Sequence, residues 1–367
     1  RALPPPHKAR VPTPAAGSVL AVAESLTNLV LAPLAEGLDS VSLSANWMWP
    51  CRSQQGEDAR LYAGVEALSD FCCALQINVP TGKDSLSMTQ QYPSGEKIIS
   101  PGTVIVSAGG EVNDVRKVVR PVMVNDSAST LYHVDFSFDS LRLGGSAFAQ
   151  SLGKVGSDVP TVKNPEYFRD AFNRLTRSVK QPVIVPDVLN QLQQLVQEGV
   201  LLAGHDISAG GLITAALEMC FANVEGGLSL QLDAFADHDL VKVLFAENPA
   251  LLVQVSDAQR GAFESLLTAQ GIAFAPIGRP CAERRIFVEK DGQSHTFDID
   301  RLRDVWYSTS HLLDTKQSFN GKAEERFENY KQQPLHTHFH PAFNGNFESL
   351  GISPDRRPTA GVQAHLT

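Results

Sequence analysis

The residues best suited to chemistry lie in the segment 204–212, which reads GHDISAGGL. An apolar run at 199–203 precedes it and another follows at 212–222, so the pattern predicts a strand, a tight turn and a helix. An acid at the strand end (Asp206), a hydroxyl two residues later (Ser208) and paired glycines suit a metal-bound phosphate. An ordinary turn in which Asp or Ser caps the helix fits the same residues. Both interpretations stay open at this point.

A second pair of oxygen-bearing side chains, Glu24 and Asn28, lies in a predicted helix that runs from Ser18 to Pro33. Their spacing of four places them on one face of an otherwise apolar helix. A carboxylate and an amide buried there would need partners, and a divalent cation would satisfy both. Alternatively, this polar stripe faces water.

A third segment, 79–88, combines a glycine, a lysine and hydroxyl groups and is predicted to be a loop. Its central residues are Gly82, Lys83, Asp84 and Ser85, a composition similar to that of phosphate-binding loops. It is not a Walker A loop, which needs two glycines ahead of the Lys-Ser/Thr pair. Composition alone therefore does not establish nucleotide binding here.

The elements that must position these residues form an alternating α/β (α+β) pattern, including a predicted helix at 187–198. We expect a first domain at 1–125, a second at 126–312 and an extended linker at 313–367. The linker contains His336, His338 and His340, whose alternation could suit a transition metal. Their surroundings favour a solvated tail instead.

Composition excludes several classes of protein. The chain has 367 residues, 43% of them hydrophobic, and a formal net charge of −9, which argues against nucleic acid or an anionic membrane as the main partner. No apolar run reaches the ~20 residues of a membrane helix. The five cysteines include no Cys-x-x-Cys pair, which favours a reducing cytoplasm without disulfides or zinc. Because the chain starts without Met, we expect it to be an excised piece of a longer protein.

Five motifs occur in an order that resembles one family, the aminoimidazole ribonucleotide synthetase superfamily of ATP-using enzymes. More specifically, the chain is similar to the second synthetase half of the large, single-chain formylglycinamidine ribonucleotide synthases. The motifs are AESLTN at 23–28, SANWM at 44–48, GKDS at 82–85, LGGS at 143–146 and HDISAGG at 205–211.

The resemblance implies a barrel-forming N-terminal domain, an αβ C-terminal domain and a linker toward a glutaminase domain. It also implies an enzyme that converts formylglycinamide ribonucleotide, ATP and glutamine into the amidine, with two similar synthetase halves in one polypeptide. By the resemblance, one nucleotide site of the pair would be catalytic, and the other would hold a nucleotide with a structural role. Because barrel domains pair in this family, the resemblance also implies that the isolated chain could form a homodimer.

By the same resemblance, Glu24, Asn28 and Asp206 would bind Mg2+ beside the phosphates of ATP or ADP, and Ser208 would contact the nucleotide. The segment of Gly82, Lys83, Asp84 and Ser85 would reach across to the site of the other half. Three departures from the family pattern stand out. The upstream magnesium-binding Asp is absent, Ala209 replaces a common acid, and Glu-Asn-Pro at 247–249 replaces a substrate-contacting Glu-Ser motif.

The departures suggest that this half's own site serves the auxiliary nucleotide, and we assign no catalytic residue to the chain. Without a Gly-x-Cys-x-Gly nucleophile, it is expected neither to hydrolyse glutamine nor to complete the synthesis alone. Two classes of function stay open. The chain either contributes residues to an ATP-dependent carbon–nitrogen ligase, or acts mainly as a scaffold half that holds a structural nucleotide.

Overall fold

The structure, a computed structural model, describes residues 13–51, 54–180 and 200–332, together with 341, 343, 344, 346 and 348. The predicted helix at 187–198 and the three histidines of the tail lie outside the described residues.

The N-terminal region begins with helix α1, which places Glu24 near its C-terminal end. It starts four residues before the predicted Ser18, because Pro14 suits the first turn of a helix. It ends at Thr27 rather than near Pro33. Just after this end, the N–H groups of Leu29 and Val30 both donate to the carbonyl of Leu26. The elements of this region are α1 (Pro14–Thr27), β1 (Val41–Met48), α2 (Glu57–Leu75), β2 (Asn78–Ser85), β3 (Thr89–Gln91), β4 (Lys97–Ile99) and β5 (Thr103–Gly110).

Strands β2, β1 and β5 form a three-stranded sheet in that order. Strand β1 pairs in parallel with β2 and antiparallel with β5, and α1 packs against α2. The predicted loop at 79–88 is wrong over most of its length, because residues up to Ser85 belong to β2. Gly82 and Ser85 pair with Ala45 and Met48 of β1.

The second region is built on a mixed seven-stranded sheet with the order β12-β11-β8-β10-β6-β9-β7. Its neighbouring strands are antiparallel, except for the parallel pair β8 and β11. The elements are β6 (Ser129–Asp135), α3 (Ala147–Ser151), α4 (Pro165–Lys180), β7 (Leu201–Ile207), α5 (Gly211–Phe221), β8 (Gly227–Gln231), α6 (Leu240–Phe245), β9 (Ala250–Ser256), α7 (Arg260–Ala269), β10 (Phe274–Cys281), β11 (Arg285–Lys290), β12 (Gln293–Asp298) and α8 (Ile299–Gln317).

Strand β9 shows how the sheet joins two hydrophobic cores. Its residues Leu251 and Val253 belong to a core shared with α1, α2 and α4, whereas Leu252 belongs to a core formed with α5 on the other face. A strand covered on both faces reads as a continuous apolar run, as in the buried sequence ALLVQ. The shared core therefore holds α1 against the large sheet.

The expected extended linker from 313 is wrong for residues 313–332. Helix α8 continues to Gln317, and a further helix, α9, spans Lys322–Glu328. The buried Arg303 of α8 donates to the carbonyl of Phe327 at 2.8 Å, and its guanidinium carbon lies 3.6 Å from the ring centre of Tyr330. These hydrogen-bond and cation–π contacts fold the segment back onto α8.

The predicted α/β class is confirmed by these mixed layers of helix and sheet. Among the described residues, neither the three-stranded nor the seven-stranded sheet closes into a barrel. In the described part of the chain, no helix combines the length and hydrophobicity needed to cross a membrane.

Candidate functional site

The strand, turn and helix predicted around Asp206 are present as β7 and α5. Gly210 and Gly211 have φ angles of +94° and +72°, a region that side-chain-bearing residues rarely adopt. A Cβ atom on Gly210 would lie 2.3 Å from Thr214 Oγ1, and one on Gly211 would lie 2.6 Å from the carbonyl oxygen of Leu244. The turn itself therefore requires both glycines. Gly210 is the N-cap residue, so the alternative of an Asp or Ser cap is wrong.

Helix α1 brings Glu24 and Asn28 to Asp206, which is 178 residues from Asn28 along the chain. Asn28 Nδ2 lies 3.4 Å from Asp206 Oδ2 and donates to the carbonyl of Glu24 at 2.8 Å. Asn28 and Asp206 thus meet where α1 ends beside β7, and Glu24 lies one helical turn earlier, near enough for the Asp206 charge to raise its pKa. Because the Asn28 N–H group faces the carboxylate here, binding a cation through the amide oxygen would require the amide to turn over.

A cavity of about 250 Å³ opens beside this meeting point. One face of α1 lines it, from Gly17 and Leu20 to Glu24, together with Ser208 and Glu247. Its walls also include Gly144 and Gly145, and Ser208 and Ala209, which directly precede the paired glycines. Neither lysine nor arginine occurs among the described lining residues. An anion entering this cavity would therefore meet carboxylates rather than basic side chains.

Glu247 was noted from the sequence only as a departure from a family motif, yet it is central to the cavity. Its Oε1 accepts the N–H of Gly210 at 2.7 Å and the N–H of Ala147 at 2.7 Å. The Gly210 N–H at the start of α5 is therefore already engaged by a side chain.

Glu24 and Glu247 line the cavity, and both Glu247 and the nearby Asp206 act on the charge of Glu24. Loss of solvation raises the pKa of Glu24 above its ordinary value of 4.5, and the charges of Asp206 and Glu247 raise it further. The Glu24 side chain is nonetheless open to solvent at the cavity mouth. A divalent cation would relieve this repulsion, since carboxylate and amide oxygens are the ligands that Mg2+ prefers.

We expect Glu24→Gln to raise the melting temperature of the metal-free chain at pH 7. A carboxyl whose pKa is higher in the folded than in the unfolded chain binds its proton more tightly when folded, so folding stability is lost as the pH rises through and above 4.5. Screening by solvent should keep the gain below about 1 kcal/mol. Thermal unfolding in EDTA at pH 7 and pH 4 measures it. The gain should disappear at pH 4, and a lower melting temperature at pH 7 would contradict the explanation.

His205 and Glu218 flank Asp206 on the side of α5. His205 Nδ1 lies 2.7 Å from the carbonyl oxygen of Asp206, and Nε2 lies 3.5 Å from Glu218 Oε2. Trp306 of α8 donates to Glu218 at 2.9 Å. Loss of solvation raises the pKa of Glu218. These contacts hold the end of β7 against α5 and α8.

The structure does not bring Gly82, Lys83, Asp84 and Ser85 to this cavity. They lie in β2, and none of them contributes to the cavity lining. Gly82, Lys83 and Asp84 are exposed, and a Cβ atom on Gly82 would meet no atom within 4 Å. The motif is therefore presented on the surface of the chain.

Comparison with known proteins places these features in a family. Residues 6–111 match the FGAR-AT PurM_N-like domain, and residues 138–291 match the C-terminal domain of AIR synthase related proteins. Over 348 residues the chain is 33% identical to the probable phosphoribosylformylglycinamidine synthase, chloroplastic/mitochondrial, of Arabidopsis thaliana. The chain belongs to the phosphoribosylformylglycinamidine synthase family. The match covers 93% of this chain but 23% of the plant synthase.

Solved structures of a bacterial synthase share the fold. PurL of Thermotoga maritima, in a structure described as complexed with FGAR, has a TM-score of 0.55 and 14% identity, over 79% of this chain and 43% of that one. A PurLQS structure from the same organism has a TM-score of 0.54 and 13% identity, over 81% of this chain and 43% of that one. The synthetase-like fold predicted from the motifs is thus confirmed.

Proposed function

We propose that this chain is a half of the synthetase region of a phosphoribosylformylglycinamidine synthase and binds ATP or ADP with Mg2+ in the cavity beside Asp206. The whole enzyme would convert formylglycinamide ribonucleotide to the amidine with ATP and glutamine. Its other synthetase half and a glutaminase domain would be the partners of this chain. The family relationship supports the reaction, and the cavity supports a nucleotide.

The observation that carries the proposal is the contact between Asn28 and Asp206 beside the cavity that Glu24 and Ser208 line. Two carboxylates and an amide form a set of hard oxygen donors, which fits Mg2+. When bound, the cation would neutralise phosphate charge and orient the phosphates. Glu24 and Asp206 would hold it, and the hydroxyl of Ser208 would contact the nucleotide.

The size of the cavity supports a shared site. At about 250 Å³, it falls short of the roughly 300–1,000 Å³ that enclose a drug-sized ligand. We infer that this chain encloses part of the nucleotide and that the other synthetase half, or a second copy in a homodimer, covers the remainder.

A direct contribution of this chain to the ligase reaction, at a site in the other half, rests on the surface position of residues 82–85. A Gly-Lys-Asp-Ser segment whose first three residues are exposed, and which does not line its own chain's cavity, suits contact with nucleotide or substrate held by the other half. The cavity beside Asp206 would then hold the auxiliary nucleotide. In the full-length enzyme, loss of activity on replacing Gly82 or Ser85, with folding unharmed, would support this division of roles.

Calorimetric titration with ADP, in Mg2+ and in EDTA, tests the proposal. We expect binding in Mg2+ and binding at least about tenfold weaker in EDTA, because a diphosphate facing three carboxylates needs a cation between them. Adenosine, which has no phosphate, serves as the control ligand and should show no metal dependence. Equal ADP affinity in both buffers would exclude the metal, and no binding to the folded chain would exclude a nucleotide site held by this half. The cytoplasmic location stays a prediction.

A further inference from the structure

Two glycine turns from distant parts of the chain bound the cavity, and Glu247 lies between them. One turn, at 143–146, leads into α3, and the other, at 208–211, leads into α5. The same oxygen of Glu247 accepts an N–H from each turn region, that of Ala147 and that of Gly210, both at 2.7 Å. One carboxylate oxygen thus joins the starts of two helices.

The segment that carries Glu247 is itself firmly held. Asn248, 3% exposed, accepts the N–H of Arg142 at 3.3 Å and donates to the carbonyl of Ser140 at 3.1 Å. On the other side of Glu247, the ring of Phe245 stacks on that of Phe148, with ring centres 4.6 Å apart. The residues on both sides of Glu247 therefore contact residues that flank the turn at 143–146.

We propose that Glu247 is a positioning residue that fixes the two glycine turns relative to each other and so sets the width of the cavity. The proposal rests on the proposed function for its consequence in nucleotide binding, but not for its geometry. A ligand that took the shared oxygen would have to release both amides. Glu247 therefore acts through the turns rather than by contact with the nucleotide through that oxygen.

To position the turns, residue 247 needs an acceptor oxygen but not a negative charge. Two variants of Glu247 are therefore expected to behave differently. Glu247→Gln keeps an oxygen that can accept both N–H groups, whereas Glu247→Ala removes it and leaves two amides without an acceptor. Glu264→Ala is the matched control. Glu264 also accepts two hydrogen bonds, from Tyr132 at 2.7 Å and Arg260 at 2.9 Å, and does not line the cavity.

Hydrogen exchange of the backbone amides, measured by NMR on the full chain, tests the geometry without any ligand. Glu247→Ala should speed exchange at Gly210 and Ala147 together by at least about tenfold. Glu247→Gln should restore protection at both amides, and Glu264→Ala should leave both unchanged. Calorimetry with ADP and Mg2+ should then show affinity about tenfold lower in Glu247→Ala and nearly restored in Glu247→Gln.

Unchanged exchange at either amide in a folded Glu247→Ala variant would overturn the proposal. So would an equal loss of affinity in the alanine and glutamine variants, because that would assign the effect to charge. If the wild-type chain binds no ADP, the proposed function fails, while the amide exchange still decides whether Glu247 positions the turns.

Discussion

Replacing Gly211 with alanine is expected to lower the free energy of unfolding by about 3 kcal/mol or more. Two costs add at this position. The φ angle of +72° is unfavourable for any residue with a Cβ atom. The new Cβ would also lie 2.6 Å from the carbonyl oxygen of Leu244 and 2.7 Å from backbone atoms of Phe245, which cannot move aside as the end of a flexible side chain could.

Urea denaturation followed by circular dichroism measures this loss, and Gly261→Ala provides the control. Gly261 lies in α7, has no positive φ, and a Cβ there would meet nothing within 4 Å. The control should be neutral or stabilise the chain by up to about 1 kcal/mol. If Gly211→Ala were as stable as Gly261→Ala, the tight approach of α5 to the end of α6 would not exist as described.

Replacing Asp206 with alanine is expected to weaken magnesium-dependent ADP binding by about 100-fold or more. Loss of residues that merely support metal ligands already costs about 10–100-fold, and Asp206 is proposed to bind the metal directly. Glu24 and Asn28 lie on a different element, so neither could replace the carboxylate from β7. Calorimetry in Mg2+ measures the change, with circular dichroism to confirm folding.

Asp233→Ala is the matched control for Asp206. Asp233 also follows a strand of the large sheet closely, and it accepts the N–H of Asp291 at 2.7 Å, but it does not line the cavity. Its loss should leave the ADP affinity within about twofold of the wild type, since distant sites act nearly independently. Comparable weakening in both variants would point to a general effect of net charge rather than to a metal ligand.

The sequence was sufficient for elements whose signals are local. Two apolar runs on either side of paired glycines correctly predicted β7, the turn and α5, because period and turn chemistry are read over a few residues. The spacing of Glu24 and Asn28 predicted a shared helix face; Glu24 lies in α1, Asn28 follows it as the C-cap residue, and both are exposed. That these residues meet Asp206 came from the family resemblance, since no local pattern connects residues 178 apart.

Other features depended on contacts that local patterns do not contain. Strand β2 was mistaken for a loop because its exposed residues lack apolar alternation, and it is defined by parallel pairing with β1. Glu247 was missed as a cavity residue because its partners lie 37 and 100 residues away. The fold of the segment after 313 depends on contacts of Arg303 with aromatic rings. The polar composition of that segment gives no sign of these contacts.

A crystal structure of the chain with ADP and Mn2+ in place of Mg2+, analysed by anomalous scattering, tests the metal site most directly. We expect one strong peak between Glu24 and Asp206, about 2.0–2.4 Å from a carboxylate oxygen of each, with the ADP phosphates on its other side and the Asn28 amide turned over. ADP bound in the cavity with no manganese at these carboxylates, or manganese bound elsewhere on the chain, would contradict the proposed site.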